Sequence, residues 1–301
     1  MIVGTAGDLA NMFDQPFMRN AFIAGTFIAV AAGLVGYFLV LRAQVFTGDA
    51  LSHVAFTGGL AALVIGLDLR VGLFGACILF AVVIGLLGPH GRADDTIIGS
   101  VFASILGLGA LFLTLYTTSN SASNATGGVN VLFGSIFGLS GSDATSAAVI
   151  ATGVSVALLA IARPLLFASV DDAAARARGV PVRGLGVAFL VLVGITAGEA
   201  TQAVGALLLL GLLAAPGGAA QRLSARPFRA LAISSSIAVL SVWIGLTLSY
   251  AEPQLPPSFC ILAAATASFL VAFLVTARPR RILWRTTRAD VDAPLPLPPT
   301  R

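Results

Sequence analysis

The chain has 301 residues, of which 57% are hydrophobic and only 10% charged, with a mean hydropathy of +0.98, a balance that excludes an ordinary water-soluble globule. Its formal charge is +4 with a pI near 9.8, but the basic residues sit in short clusters between apolar runs, which reads as loops on one side of a membrane and not as a nucleic-acid surface. All 17 basic residues are Arg; without Lys there is no P-loop, so any ATP that drives the protein is hydrolysed by another chain.

The expected fold is all-α, a polytopic membrane bundle of about eight or nine transmembrane helices, since a span needs about 20 apolar residues. Residues 1–16, carrying Asp8 and Asp14, do not read as a cleavable signal. Residues 17–277 hold the spans. Residues 17–41 form the first, and Arg42 ends it. After a link over 43–47, the second segment runs to Gly66 and contains Gly48-Asp49-Ala50-Leu51-Ser52-His53. Asp68 and Arg70 mark a turn before a span over 71–87. Pro and Gly break the chain in the loop 88–96, where His90 has no ligand partner at helical spacing.

Residues 97–116 make the fourth span, followed by an uncharged Ser/Thr/Asn/Gly segment over 117–128. Residues 131–139 are apolar but too short to cross, which reads as an interfacial or re-entrant piece, and a short fifth span follows over 147–162. The region 163–183 is the most charged internal stretch and reads as a short cytoplasmic helix. Runs 185–197 and 204–215 flank Glu199 and are short enough to suggest broken helices, which often line transport sites. A basic loop with Arg222, Arg226 and Arg229 precedes a span over 230–250, a Pro-rich turn carrying Glu252, and a last span over 258–276. The tail 278–301, with its Arg cluster and Pro-rich end, reads as cytoplasmic and disordered. Counting back from it by the positive-inside rule puts every basic cluster on the cytoplasmic side and the N-terminus outside, with nine spans, or eight if one short run fails to cross.

The chemistry concentrates at Asp49 and His53. Four residues apart on a helix, their side chains project from one face, one turn above the other. Carboxylate and neutral imidazole are donors for zinc, manganese or iron, and two donors on one helix leave positions for water or a ligand from elsewhere. The structural alternative makes Asp49 the N-cap of a helix beginning near Ala50 and His53 a satisfied interior residue. Cys77 and Cys260 lie in apolar runs as small core residues. Glu199 is a second candidate on the pathway, set against a solvated loop carboxylate.

The residues resemble the integral membrane permeases of ATP-binding-cassette importers for zinc and manganese. The likeness runs through Pro16-Phe17-Met18-Arg19-Asn20-Ala21-Phe22, Leu39-Val40-Leu41-Arg42, the Gly48 to His53 block, Asp94-Asp95-Thr96-Ile97-Ile98-Gly99 and Leu132-Phe133-Gly134-Ser135-Ile136. It continues through the segment from Asp171 with Ala173, Gly179 and Pro181, Val204-Gly205-Ala206-Leu207-Leu208, Ala214-Ala215-Pro216 and Gly245-Leu246-Thr247-Leu248-Ser249-Tyr250. Ala43-Gln44 stands where a second basic residue is expected, and Thr57-Gly58-Gly59 replaces the usual Pro-Gly. The resemblance implies a homodimer in a bacterial inner membrane, working with cytoplasmic cassette ATPase subunits and an external or periplasmic solute-binding protein. It implies no resident cofactor, zinc or manganese as cargo, and Asp49 and His53 as metal ligands. The region around Asp171, Asp172, Ala173, Arg176 and Gly179 becomes the coupling helix that docks on the ATPase. The alternatives are a permease for chelated iron or a cobalamin-like cofactor, an intramembrane enzyme using Asp49 or Ser52 with His53, and an ion-gradient-driven carrier.

Overall fold

The computed structural model describes residues 11–88, 95–119, 134–206 and 209–277. Loop 88–96 with His90, segment 117–128, residues 131–133 and the tail 278–301 lie wholly or partly outside that range. After a 3-10 turn at Asn11–Asp14, the helices are α1 (Pro16–Leu41), α2 (Val45–Ile65), α3 (Leu69–Leu87), α4 (Asp95–Ser119) and α5 (Gly141–Val170). Then come α6 (Asp172–Ala177), α7 (Val182–Val204), α8 (Leu209–Leu223), α9 (Pro227–Ala251) and α10 (Pro257–Thr276).

Eight of these are long and apolar enough to cross a membrane. The exception among the larger helices is α8, with 15 residues, which covers only ~22 Å at 1.5 Å per residue. It nevertheless runs from the outer end of α7 to the Arg-rich side. There Gln221 Nε2 donates to the Tyr37 carbonyl near the end of α1, and the Arg222 guanidinium lies 4.5 Å from the Phe273 ring centroid near the end of α10. The chain therefore alternates from side to side, with Arg42, Arg176, Arg178, Arg183, Arg222, Arg226 and Arg229 together at the end that the charge rule makes cytoplasmic.

Two expectations need correction. Glu199 does not sit in a break between two short helices; α7 is continuous for 23 residues through it, and the chain turns only at Gly205, whose φ of 93° suits glycine. The fifth span is also longer than 147–162, at 30 residues. It starts from a capping box between Ser140 and Asp143, and Pro164 lies inside it without ending it. Residues 134–139 do not cross: they hold a single 3-10 turn packed against α1 and α7. Ser135 N donates to the Gln202 carbonyl at 3.0 Å.

Helix α1 is the axis of one half of the bundle, touching α5, α7, α8 and α9, while α2 is clasped by α3, α4 and α7. Lipid gives no hydrophobic drive between helices, so close backbone approach matters, and small residues stand where helices cross. A Cβ on Gly36 would collide with the Leu213 carbonyl of α8, and one on Gly33 would lie 2.6 Å from the Ser235 Cα of α9. Outward faces carry exposed Leu106, Leu111, Val149, Val156, Leu240, Ile244 and Leu274, an apolar surface suited to acyl chains.

Candidate functional site

Helix α2 starts at Val45, so Asp49 lies one turn inside it and is not its N-cap; the capping alternative is ruled out. From Thr47 to Leu60 every α2 residue is buried except Asp49 and His53, which are half-exposed. The two polar side chains thus share the one open strip on that stretch, and each lies within electrostatic range of the other. On α4, Phe102 lines this strip. Its ring stands edge-on to His53 with centroids 5.1 Å apart and to Phe46 at 5.7 Å, fixing the imidazole plane by contact.

The rest of α2 is held from behind. Thr57 Oγ1 donates to the Ile105 carbonyl of α4 at 3.1 Å, and Gly58 lies directly against Gly72 and Ala76 of α3. The hydroxyl of the fully buried Ser52 donates to the Asp49 main-chain carbonyl at 2.7 Å, which turns it away from the role of nucleophile. No group of three or more His, Cys, Asp and Glu stands together among the described residues, so this pair offers a cation two donor side chains from one protomer.

Glu199 is elsewhere. It is 3% exposed and borders a small cavity lined by Ile28 and Ala31 of α1, Ile150, Ala151 and Val154 of α5, and Ile195 and Thr196 of α7. Its Oε2 makes no hydrogen bond with any described residue. One turn further out lies a polar cluster that the sequence did not announce. Arg70 Nη2 is 3.0 Å from Asp143 Oδ1, its Nη1 donates to Ser146 Oγ at 2.6 Å, and its Nε to Gln202 Oε1 at 3.3 Å. This clasp ties the outer ends of α3, α5 and α7, and both its charges act on Glu199. The only available signal was Arg70 itself, an arginine on the side the charge rule leaves poor in arginine.

At the Arg-rich end of the bundle, α6 is a short, capped helix. Asp171 Oδ1 accepts from Ala174 N at 2.8 Å as its N-cap, Asp172 and Arg176 pair at 3.3 Å one turn apart, and Gly179 at φ 78° closes it. Ala175 is buried with Ala168 and Val182, while Ala173, Arg176 and Ala177 form an exposed strip.

The model of the ABC 3 transport family matches residues 14–276. A manganese import system permease protein, ScaB of Streptococcus parasanguinis, is 27% identical over 270 residues, covering 88% of this chain and 92% of the relative. A chelated iron transport system membrane protein, YfeD of Yersinia pestis, is 27% identical over 268 residues, 88% of each chain. Among solved structures, PsaBC from Streptococcus pneumoniae in complex with Fab superposes with a TM-score of 0.77 at 26% identity, covering 89% of this chain and 95% of the other.

Proposed function

The chain belongs to the ABC 3 transport family, a multi-pass permease of metal importers, and on that premise we propose that it carries bare divalent transition-metal ions inward past Asp49 and His53. The observation that carries this is the stretch of α2 from Thr47 to Leu60, where those two side chains alone stay open amid buried neighbours. A hydrated cation does not cross hydrocarbon, so the path must supply donors that replace water without holding the ion tightly. Asp49 supplies charge and His53 a nitrogen donor, and two donors from one protomer leave sites for water or for a second copy in a homodimer.

The resemblance put zinc beside manganese; the relatives' names favour manganese, with iron next. Carboxylate is the harder donor of the two and suits manganese, whereas imidazole suits zinc and iron as well. A chelate permease is the second reading, supported by the iron relative's name, but a chelate supplies its own donors and gives Asp49 and His53 nothing to do. Energy comes from a cassette ATPase bound to the cytoplasmic face, for which we assign the Asp171, Asp172, Ala173, Arg176 and Gly179 segment as coupling helix, and cargo from an external binding protein. Glu199, in the field of the Arg70–Asp143 pair, is a further candidate on the pathway at the outer end of α7.

The test is uptake of manganese by cells expressing Asp49→Ala or His53→Ala at wild-type level. Loss of uptake with normal membrane insertion is expected, and wild-type uptake by Asp49→Ala would defeat the assignment.

A further inference from the structure

Arg42 follows the last residue of α1 at the cytoplasmic end and is only 6% exposed, a costly place for a guanidinium unless its donors are used. Its Nε donates to Gln44 Oε1 at 2.9 Å and its Nη1 to Ser169 Oγ at 3.4 Å, and its Cζ lies 5.5 Å from the centroid of the Phe189 ring. One side chain thus meets the end of α1, the residue just before α2, the last turn of α5 and the body of α7. The positions along the chain give this corner its meaning. Ser169 stands two residues before Asp171, the N-cap of α6. Gln44 immediately precedes Val45, the first residue of α2, and lies five residues before Asp49.

The turn between α1 and α2 is short and closed. Gln44 N donates to the Leu39 carbonyl at 2.8 Å and Ala43 N to the Val40 carbonyl at 3.1 Å, a Schellman cap with Ala43 at φ 54° where glycine is usual. Such a turn has little slack. A displacement of its buried side chains, Arg42 and the Gln44 bonded to it, is passed to the start of α2.

We propose that Arg42 is the positioning residue through which movement of α6 reaches α2, and with it Asp49 and His53. The inference rests on the functional reading above, in which an ATPase moves α6 and α2 carries the metal ligands. Ser169 Oγ is itself fixed, donating to the Leu165 carbonyl at 2.6 Å, and Asp171 N donates to the Phe167 carbonyl at 3.0 Å, which ties the cap of α6 to the last turn of α5. The planar guanidinium, with two donors aimed in fixed directions and a ring against its face, holds its partners at set distances and angles. A lysine there would be a point charge on a flexible stem.

The experiment uses the complex of this permease with the cassette ATPase and binding protein that co-purify with it, reconstituted in liposomes, with Mn2+ as the probe. For Arg42→Lys we expect assembly and ATP hydrolysis to persist while Mn2+ taken up per ATP falls about tenfold, within the range by which linking residues alter coupling. Ser169→Ala, which leaves the α5 backbone bonds in place, is expected to lower the same ratio by a smaller factor. An unchanged ratio in both variants overturns the proposal, as does loss of ATPase binding by both, which would make the corner a scaffold. Should Arg42→Lys fail to assemble, Ser169→Ala decides alone by the same criterion. Asp49→Ala in the same liposomes separates the two ideas. Normal uptake by it removes the metal-ligand assignment, whereas blocked uptake beside a fully coupled Arg42→Lys removes only the role of Arg42.

Discussion

Gly58 of α2 and Gly72 of α3 face each other with no room for a side chain: a Cβ on Gly72 would collide with the Gly58 carbonyl oxygen, and a Cβ on Gly58 would lie 2.5 Å from the Gly72 oxygen and collide with the Ala76 methyl. These contacts are with backbone and a methyl group, which do not swing aside. Gly58→Ala is therefore expected to push α2 away from α3 at a cost of about 1–3 kcal/mol, the usual range for overpacking. Gly75, on another face of α3, has nothing within 4 Å of an added Cβ, so Gly75→Ala should leave stability unchanged or slightly raised. Thermal unfolding in detergent reads both, and equal midpoints for the two variants would contradict the close approach.

Two left-handed residues close helices at the Arg-rich end of the bundle with opposite prospects. Gly179, at φ 78°, ends α6 with its own N–H on the Arg176 carbonyl and the Val180 N–H on the Ala175 carbonyl at 3.1 Å. Ala43 ends α1 in the same way at φ 54°, but with a Cβ that this conformation disfavours by roughly 1–2 kcal/mol. Gly179→Ala should destabilise by about 1 kcal/mol, and Ala43→Gly should be neutral or stabilising because relief of strain offsets the greater freedom of the unfolded chain. Unfolding midpoints of the two variants moving in the same downward direction would refute the contrast.

The spans were legible where apolar runs end in charge or turn residues. The first was expected over 17–41 and is Pro16–Leu41; the third, expected over 71–87, is Leu69–Leu87. The shared face of Asp49 and His53 was legible too, because it follows from helical spacing alone. Glu199 misled because a carboxylate in an apolar run looks like an end, yet a helix satisfies its own backbone bonds whatever one side chain costs, and only the positive φ at Gly205 breaks it. The fifth span was expected too short at both ends because its polar first turn from Gly141 and the charge at Arg163 both lie inside the helix, where neither breaks the backbone bonds. The Arg70–Asp143 pair was invisible, since its members are 73 residues apart and nothing local links them.

That pair gives a prediction about magnitudes. Its side chains are 29% and 39% exposed, so the ion pair itself should contribute no more than about 1 kcal/mol. Arg70→Ala also removes the donors to Gln202 Oε1 and to Ser146 Oγ, which keeps its own bond to the Asp143 carbonyl, and losing those two bonds brings the expected cost to about 2 kcal/mol. Asp143→Asn, which keeps the volume, should cost less than Arg70→Ala. A double-mutant cycle on detergent stability should give a coupling energy below about 1 kcal/mol; a coupling of several kcal/mol would mean that the clasp is shielded from solvent far better than its exposure indicates.

Acidity should act on transport through His53. A metal ligand must present a neutral imidazole, so a proton on the ring excludes the cation, and the competition favours the proton as pH falls. Imidazole is the side chain whose charge ordinarily changes between about pH 5 and 8, which places the loss of manganese binding on the acid side of neutrality. On the proposed assignment the sign is fixed: binding should be full at the alkaline end of that window and decline toward its acid end. His53→Gln, which offers an oxygen donor that does not titrate there, should bind manganese more weakly at neutral pH but with a flatter dependence across the window. Asp49→Asn should weaken binding at every pH, because it removes charge while the titrating imidazole stays. Manganese binding to the purified permease, measured by calorimetry at several pH values for the wild type and both variants, checks this. An unaltered pH profile in His53→Gln would show that the titrating ligand lies elsewhere.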